Sequence, residues 1–468
     1  MRFTIRYSLL FACFVVSVHH ALQAQEFLSL KQAVQTATEN YGRIKAKAAY
    51  AEAANAAVVQ ARRDYLPNVS LSAQQVYGTI NGQSGPSYGF GGLAAGSSGP
   101  SLPDQNWNSA FGALYLGNIN WDVFAFGRAR ERVKTAEATA KRDADDYRQE
   151  LFQHQVKVAS AYLNLVAAQR LTESYRKNLA RADTFRQVTV TRALNGLIAG
   201  VDSSQANAEV SSAHIALVKA LDVQREQANR LAVLMGVDPT EFRLDSFFVA
   251  RIPKVLDTPV GDSAFATHPE LQWYKSRVAV SDRQAKYLRT HSFPTVSLVG
   301  VLQTRASGFS SNYAQDLYAY TSRYWDGIHP TRTNYLVGLG ITWNITQLSR
   351  ISAQVKAQQL VSKGLQEEYQ LADQTLRAQA KLSEERIANA LENYREAPNQ
   401  VYASAEAYRQ RSVLYQNGLA NLVDVTQALY ALVRAETDRD IAYNNVWQAF
   451  LLKAAAAGDF SLFTSELY

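Results

Sequence analysis

The sequence Trp121-Asp-Val-Phe-Ala-Phe-Gly-Arg128 opens a stretch, 120–205, that runs without proline to Asn195-Gly-Leu197 and then Val201-Asp202. A second stretch, 342–427, opens with Trp343-Asn-Ile-Thr-Gln-Leu-Ser-Arg350 and reaches Asn417-Gly-Leu419 and Val423-Asp424. Each matching pair of residues is 222 positions apart. Internal self-similarity of this kind indicates a repeat architecture. The sequence therefore predicts one long structural unit that is made twice.

Each unit holds about 67 residues between its arginine and its Asn-Gly-Leu tip. A continuous helix of that length spans roughly 100 Å at 1.5 Å per residue, far beyond an ordinary globular helix. Long uncapped helical patterns are typical of coiled coils, membrane spans and repeat arrays. A membrane span is excluded because residues 131–150 alone carry eleven charged side chains. The pattern predicts a tube or bundle of long antiparallel coiled-coil hairpins.

The N-terminus predicts export from the cytoplasm. Arg2 and Arg6 form a positive region, 8–18 is an apolar core and 21–24 is a cleavage region, so we assign 1–24 as a signal peptide. An uncleaved membrane anchor is one alternative, although the apolar core is shorter than the ~20 residues that a helical span needs. A lipid anchor on Cys13, the one cysteine of the chain, is another.

Removal of the signal leaves a chain without cysteine, which excludes disulfides and thiol chemistry. It also removes two arginines, which lowers the formal net charge from +7 to about +5. The remaining excess is spread along the chain without a dense basic tract, so the sequence predicts no nucleic-acid partner.

The chain divides into two predicted repeats, 25–267 and 268–468. The first contains a helix 28–65, strands 68–80 and 109–123, long helices 128–194 and 202–235, and an equatorial segment 236–267. The second contains a helix 268–292, strands 294–306 and 334–346, long helices 350–416 and 422–457, and a C-terminal tail. Leu66-Pro67 and Phe293-Pro294 end the first helix of each repeat because proline disfavours helix at the residue before it. The fold class is therefore mainly α with four β-strands.

The four strands are amphipathic. In the clearest of them, one face carries Phe111, Ala113, Tyr115, Gly117, Ile119 and Trp121. Eleven residues of alternation suffice for a tilted membrane strand, although a half-buried strand of a soluble sandwich has the same pattern. Four strands cannot close a membrane barrel, because eight is the small limit and open edges are not tolerated in lipid. Three chains would give a closed barrel of twelve strands above a tube of twelve helices.

These residues resemble the outer-membrane efflux proteins, the TolC-like export ducts of Gram-negative bacteria. The resemblance covers essentially the whole mature chain. Its local marks are 29–34 leading to Pro67-Asn-Val-Ser-Leu71, then Leu234-Met-Gly236 and His268-Pro-Glu-Leu271, and the two tips are its most specific part. It implies a homotrimer in outer-membrane lipid with a long periplasmic tunnel. It also implies two partners, a periplasmic adaptor (membrane fusion) protein and an inner-membrane pump of the RND or ABC type.

The resemblance also implies site residues. The family's tip motif is Val-Gly-Leu or Val-Gly-Thr, and here asparagine replaces the valine. Adaptor docking would fall on Asn195, Gly196, Leu197, Asn417, Gly418 and Leu419. A periplasmic constriction would be formed by Asp424, with Gln427 at the position of a second ring. Asp202 and Tyr415 match two members of a tip latch whose arginine position is Ala420.

Structural alternatives exist for the same tip residues. Asn-Gly is ordinary turn chemistry, since glycine ends helices in the left-handed region. Asp202-Ser-Ser-Gln205 and Asp424-Val-Thr-Gln427 also have the pattern of capping boxes, in which the aspartate accepts amide hydrogens at the start of a helix. The sequence therefore predicts capping at both positions.

No pattern in the sequence favours an enzyme. The five histidines that follow the signal have no metal-ligand spacing. The glycines at 82–99 precede a strand and not a helix, so they form no phosphate-binding loop. The chain is predicted to need no cofactor and no metal. The remaining alternative function is a structural periplasmic coiled-coil or adhesin-like protein without a conducting pore.

Overall fold

The computed structural model describes residues 27–82, 101–239, 241–245, 247–254 and 260–467. The predicted signal peptide 1–24, Cys13 and residues 83–100 of the glycine-rich loop lie outside the described residues. Parts of the predicted equatorial segment, at 240, 246 and 255–259, lie outside them as well.

Long helices and four strands make up most of the described chain. In chain order they are α1 (Leu30–Asn40), α2 (Gly42–Arg63), β1 (Asn68–Thr79), β2 (Ser109–Phe124), α3 (Arg128–Leu194), α4 (Gly200–Met235), α5 (Phe247–Ala250), α6 (Asp262–Thr267), α7 (Pro269–Thr290), β3 (Thr295–Ser307), α8 (Tyr324–Ile328), β4 (Arg332–Thr342), α9 (Gln347–Gln416), α10 (Leu422–Ala457) and α11 (Phe460–Thr464), with a final 3-10 turn at Ser465–Leu467. The fold is mainly helical with one small antiparallel sheet.

The helix predicted over 28–65 is wrong as a single element, because the chain forms α1 and α2 with a break at Tyr41. Tyr41 has extended backbone angles (φ −66°, ψ 116°), and its ring stacks on His154 at 3.8 Å between centroids. Asn40 and Gly42 flank the break, and both residue types weaken a helix interior. Ser29 begins α1 with a capping box to Gln32.

The longest helices are α3, with 67 residues, and α9, with 70 residues. Helix α9 continues through Pro398, which cannot donate its backbone hydrogen bond. None of the helices in the described part of the chain combines the length and the apolarity needed to cross a membrane.

The chain separates into two units. The first comprises the described residues up to Ala53, Lys141–Val278 and those from Lys363 onward. Its main core joins α1, the middle of α3 and the ends of α4 and α10, where Trp447, Tyr162 and Phe463 are almost fully buried. Tyr162 donates its hydroxyl hydrogen to the Leu28 carbonyl at 2.7 Å, and burial raises the pKa of this phenol.

The second unit, Ala54–Ala140 and Ala279–Ser362, contains the sheet. Its strand order is β1-β2-β3-β4, and every neighbouring pair is antiparallel. Trp121 lies opposite Leu298 across β2 and β3, and Leu298 lies opposite Leu339 across β3 and β4. Because opposed residues project to the same side, the apolar alternation of the single strands becomes one apolar face across the whole sheet.

The edge strands β1 and β4 are almost entirely exposed. On the apolar face, Leu71 is 87% exposed, Tyr335 83% and Leu339 73%. At the end of the sheet that carries the β1–β2 and β3–β4 loops, α8 packs on this same face against Phe111, Ala113 and Ala306. The Tyr115 hydroxyl donates to the Ile328 carbonyl at 3.2 Å and fixes α8 there. At the other end of this face, Trp121 packs on Tyr65 and donates its indole hydrogen to the Tyr65 carbonyl at 2.8 Å.

Candidate functional site at the helix tips

The turn between α3 and α4 is closed by backbone hydrogen bonds. The Leu197 amide donates to the Arg192 carbonyl at 2.9 Å, and the Gly196 amide donates to the Ala193 carbonyl at 3.0 Å. Gly196 has φ +68°, the left-handed conformation that glycine adopts without strain. These features are a Schellman motif, so the Asn-Gly pair ends α3 in the way turn chemistry predicts.

The turn between α9 and α10 repeats this geometry. The Leu419 amide donates to the Leu414 carbonyl at 2.9 Å, the Gly418 amide donates to the Tyr415 carbonyl at 3.0 Å, and Gly418 has φ +76°. Asn417 donates its side-chain amide hydrogen to the Val413 carbonyl at 2.8 Å, as Asn195 does to Thr191. The asparagines therefore satisfy helix carbonyls, which a valine at that position could not do.

Both tip leucines project into solvent. Leu197 is 67% exposed and Leu419 is 74% exposed. The structure therefore presents two similar turns, each with an exposed leucine, and beside the first of them Leu194 is 83% exposed as well.

The predicted capping by Asp202 and Asp424 is wrong. Ala199 is the N-cap of α4 and makes no side-chain cap, while Asn421 is the N-cap of α10 and accepts from the Asp424 amide at 2.9 Å. Both helices begin before the aspartates, which therefore lie in the first helical turn. An acidic side chain there is stabilised by the positive end of the helix dipole.

Asp424 and Gln427 are three positions apart in α10, so they lie on one side of the helix. The Asp424 carboxylate is 35% exposed, and its Oδ2 lies 3.5 Å from Arg411 Nη1 of α9. The Gln427 side chain is exposed. Asp424 is therefore a partly exposed carboxylate with one cationic neighbour.

Tyr415 is buried within the tip, packed with Leu422 and Val425 and against Phe185 at 5.3 Å between ring centroids. Its hydroxyl has no hydrogen-bond partner among the described residues. Within the described chain, no hydrogen bond joins Tyr415 to Asp202. The structure therefore does not bring the two predicted latch residues together in a polar contact.

Arg192 supplies the link that sequence reasoning missed. From the last turn of α3, its Nη1 donates to the carbonyls of Tyr415 at 2.9 Å and Gln416 at 2.6 Å. Its guanidinium also lies over the Tyr415 ring, 5.5 Å from the centroid. A cation at the C-terminus of α9 is favoured by the helix dipole as well. Arg192 thus ties the first hairpin, α3–α4, to the second hairpin, α9–α10.

Two further polar links join the same hairpins. Tyr430 of α10 donates its hydroxyl hydrogen to Glu209 of α4 at 2.8 Å. Arg181 of α3 forms a bidentate ion pair with Glu436 of α10, at 3.0 Å and 2.6 Å. Burial and the bond to Glu209 raise the pKa of the Tyr430 phenol. No sequence pattern indicated these pairs, because their partners are more than 200 positions apart.

Two of the five histidines are buried in structural roles. His154 Nε2 bonds the Leu234 carbonyl at 2.9 Å, and His268 Nε2 bonds the Ala455 carbonyl at 3.2 Å. Burial lowers the pKa of both imidazoles. Among the described residues, no group of three or more His, Cys, Asp or Glu side chains could hold a metal ion.

Solved structures share this fold. OprN, an outer-membrane channel, aligns with a TM-score of 0.73 at 19% identity over 92% of this chain and 90% of its own. VceC from Vibrio cholerae gives 0.73 at 17% identity over 92% and 96%. The CmeC outer-membrane channel of Campylobacter jejuni gives 0.73 at 16% identity over 92% and 85%. The TM-scores show that these proteins share the fold of this chain.

Among curated proteins, no sequence shows a significant match to this chain. The sequence profile of the outer membrane efflux proteins matches residues 33–237 and 260–450. The match covers most of the chain, includes both helix tips and confirms the resemblance drawn from the sequence. The chain belongs to the outer membrane efflux protein family.

Proposed function

We propose that the protein is the outer-membrane channel of a tripartite efflux or type I secretion system. It is a passive trimeric duct that receives substrates from an inner-membrane pump and a periplasmic adaptor and carries them across the periplasm and outer membrane of a Gram-negative bacterium. The observation that carries this proposal is the four-stranded sheet, which has one continuous apolar face and two unpaired edges.

A single copy of this sheet is not stable in a membrane. Unpaired backbone groups at a strand edge are not tolerated in lipid, and four strands are too few to close. Three copies joined edge to edge give twelve strands and remove every edge. The apolar faces would then meet lipid, and the faces that carry Ser70, Asn118 and Gln303 would line a water-filled lumen.

The tips support the periplasmic part of the proposal. Three copies of Asp424 around one axis would form a carboxylate ring that attracts cations, with Gln427 as the neutral layer beside it. Arg192, together with Tyr415, would hold the closed arrangement of the hairpins. Asp202 stays a candidate for the same latch in another state of the tip. The exposed Leu197 and Leu419, with their Asn-Gly turns, would receive the adaptor.

A structural coiled-coil or adhesin-like protein is the alternative. It accounts for the long helices and leaves the amphipathic sheet unexplained. A detergent-purified trimer that resists heating and conducts ions would separate the duct from this alternative.

Single-channel conductance in planar bilayers tests the proposal directly. We expect small, cation-selective currents from the native protein, and larger or less selective currents from Asp424→Ala. Asp183→Ala is a matched control, because Asp183 lies on α3 and not on α10, its carboxylate is 41% exposed, and it pairs with Arg186 of the same helix at 2.9 Å. Currents that Asp424→Ala leaves unchanged would remove the carboxylate ring and keep the duct. A monomer that never enters membranes would refute the whole proposal.

A further inference from the structure

Two arginines lie side by side at the loop end of the sheet. Arg305 of β3 is directly opposite Arg332 of β4 in the antiparallel register, and both are exposed. The next opposed pair on the same face is Gln303 with Asn334. With its amide oxygen turned toward the cation, Gln303 accepts from Arg305 Nη2 at 2.8 Å. Four polar side chains thus form one patch, which we call the arginine patch.

Among the described residues, the arginine patch has no carboxylate partner. Within the described residues, neither guanidinium forms an ion pair with a carboxylate, and the loop 83–100 contains no Asp or Glu in its sequence. Two acids of the β3–β4 loop bond neutral local donors: Asp316 accepts from the Tyr318 amide at 2.9 Å and Asp326 from the Thr321 hydroxyl at 3.3 Å. Like charges directly opposed across a strand pair destabilise a sheet.

Folding of the sheet does not require this arrangement. On the other face at the same level, Thr304 and Thr333 share a neutral hydroxyl hydrogen bond of 3.2 Å. A neutral pair would therefore serve equally well between Arg305 and Arg332. The two arginines lie on the polar face, at the loop end of the strands. A ligand of opposite charge explains this pair of cations better than folding does.

We propose that the arginine patch binds anionic groups of the solutes that leave through the outer mouth of the channel. The inference rests on the proposed function, because the polar face lines the lumen only in the assembled trimer. Three copies would place six guanidinium groups around the opening, and rings of arginine select anions. Guanidinium forks match carboxylate, phosphate and sulfate groups through paired hydrogen bonds. The outer mouth would then have the opposite charge preference to the Asp424 constriction.

Reversal potentials in a potassium chloride gradient test this inference on the full-length trimer. We expect the chloride-to-potassium permeability ratio to fall by about twofold or more in Arg305→Gln/Arg332→Gln, because fixed charge sets the local ion concentration. Arg323→Gln is the matched control. It removes an exposed arginine at the same end of the sheet, from the N-cap of α8, and should leave the ratio unchanged. Repeating the series with Asp424→Ala removes the opposing selectivity of the other mouth.

A second measurement does not depend on conduction. A pyrene trisulfonate dye, titrated into the detergent-solubilised trimer and followed by fluorescence anisotropy, should bind about tenfold more weakly to the double variant, since the lost contacts are charge-assisted. Unchanged permeability ratio or unchanged dye binding in the double variant would overturn the inference. A silent bilayer would count against the proposed duct, and the dye titration would then decide the inference by itself.

Discussion

Arg192 is the residue on which the polar contact between the two helix tips depends. Arg192→Ala removes both hydrogen bonds to α9 and the contact with the Tyr415 ring. Hydrogen bonds to a charged group contribute about 1.5–3 kcal/mol, and partial exposure reduces that figure here. We expect faster amide hydrogen exchange at 413–420 in the variant, together with larger single-channel currents.

Two variants make the Arg192 experiment specific. Arg192→Lys keeps the charge and loses the forked geometry of the guanidinium. Its exchange rates at 413–420 should therefore lie between those of the native protein and those of Arg192→Ala. Arg186→Ala removes an arginine that pairs with Asp183 on its own helix, and should leave the exchange at 413–420 as it is. Equal exchange rates in Arg192→Ala and the native protein would show that Arg192 does not hold the tips together.

His154 predicts a loss of stability in acid. Its folded pKa is lowered, first by burial and then by Lys157, while the Leu234 carbonyl and Glu150 oppose the shift; Glu150 itself pairs with Arg43 at 3.0 Å. The unfolded chain therefore binds a proton at a pH where the folded chain does not. Stability contributed by the neutral ring is complete above about pH 6.5 and falls as pH drops toward the folded pKa, by up to ~1.4 kcal/mol per pH unit.

His154→Gln should reduce this pH dependence, because its amide can still donate to the Leu234 carbonyl and does not titrate. Thermal unfolding of the detergent-solubilised protein at pH 7.5 and pH 5.5 measures the effect. His214→Gln, at an exposed position of α4, is the control and should keep the native dependence. The same acid-induced loss in His154→Gln and the native protein would assign it to other groups.

At this scale, sequence reasoning found the residues that local chemistry specifies and missed those that tertiary contact specifies. Asn-Gly predicts a left-handed turn from its own conformational preference, and both turns have it. Arg192 gave no signal, since its partners are backbone carbonyls of a helix more than 200 positions away. The capping prediction failed because an N-cap is the residue directly before the first helical residue. Those residues are Ala199 and Asn421, three positions before the aspartates.

At the scale of elements, two glycines end helices under different constraints. Gly418 has φ +76° and open space around its Cα, whereas Gly458 at the end of α10 has φ +70° and would place a Cβ 2.5 Å from the His268 ring. Gly418→Ala should therefore cost only the strain of a left-handed residue, about 1 kcal/mol. Gly458→Ala should cost a further ~1–3 kcal/mol because the ring must move.

Thermal unfolding midpoints of the two variants decide this prediction. The midpoint of Gly458→Ala should lie clearly below that of Gly418→Ala. Equal shifts would mean that His268 moves aside without loss. Either result separates backbone strain from overpacking, because the two positions share the same φ region.

The elements themselves were largely predictable because their signals are periodic and long. Alternation placed the four strands, and the absence of proline from 120–205 indicated an uninterrupted helix. The break at Tyr41 was missed because no proline marks it and because its ring is held by His154, a residue distant in sequence. The packing of α8 on the sheet was missed for a similar reason, since a five-residue helix carries no periodic signal.

At the scale of the whole molecule, the predicted repeat specifies how copies would join. Asn118 of β2 pairs with Val301 of β3. Trp121 and Trp343 are 222 positions apart, whereas Pro67 and Pro294, at the starts of β1 and β3, are 227 positions apart. Moving Asn118 forward by 222 and Val301 back by 227 gives Gly340 of β4 and Gln74 of β1. The second pair lies on opposite edges of the sheet, so it can meet only between chains. The repeat therefore predicts that Gly340 is opposite Gln74 of the neighbouring copy.

Cysteines at Gly340 and Gln74 should form disulfides under mild oxidation and give a covalent trimer on denaturing gels. A Cβ at Gly340 meets nothing within 4 Å, so the substitution is tolerated sterically. Gly340→Cys with Ser70→Cys is the control, because Ser70 lies about 13 Å farther along the strand, beyond disulfide reach. Equal cross-linking in both variants would contradict this register, and none in either would contradict edge pairing.

The open edges of the sheet also govern how the protein must be made. A newly synthesised chain presents two unpaired edge strands and an apolar face on which Leu71, Tyr335 and Leu339 are largely exposed. Such edges are templates for aggregation until they are paired. The unit that contains Trp447 and Tyr162 has a buried core of its own and can fold early. Assembly of the copies therefore competes with misassociation, and we expect its yield to depend on factors that cover the strand edges until they are paired.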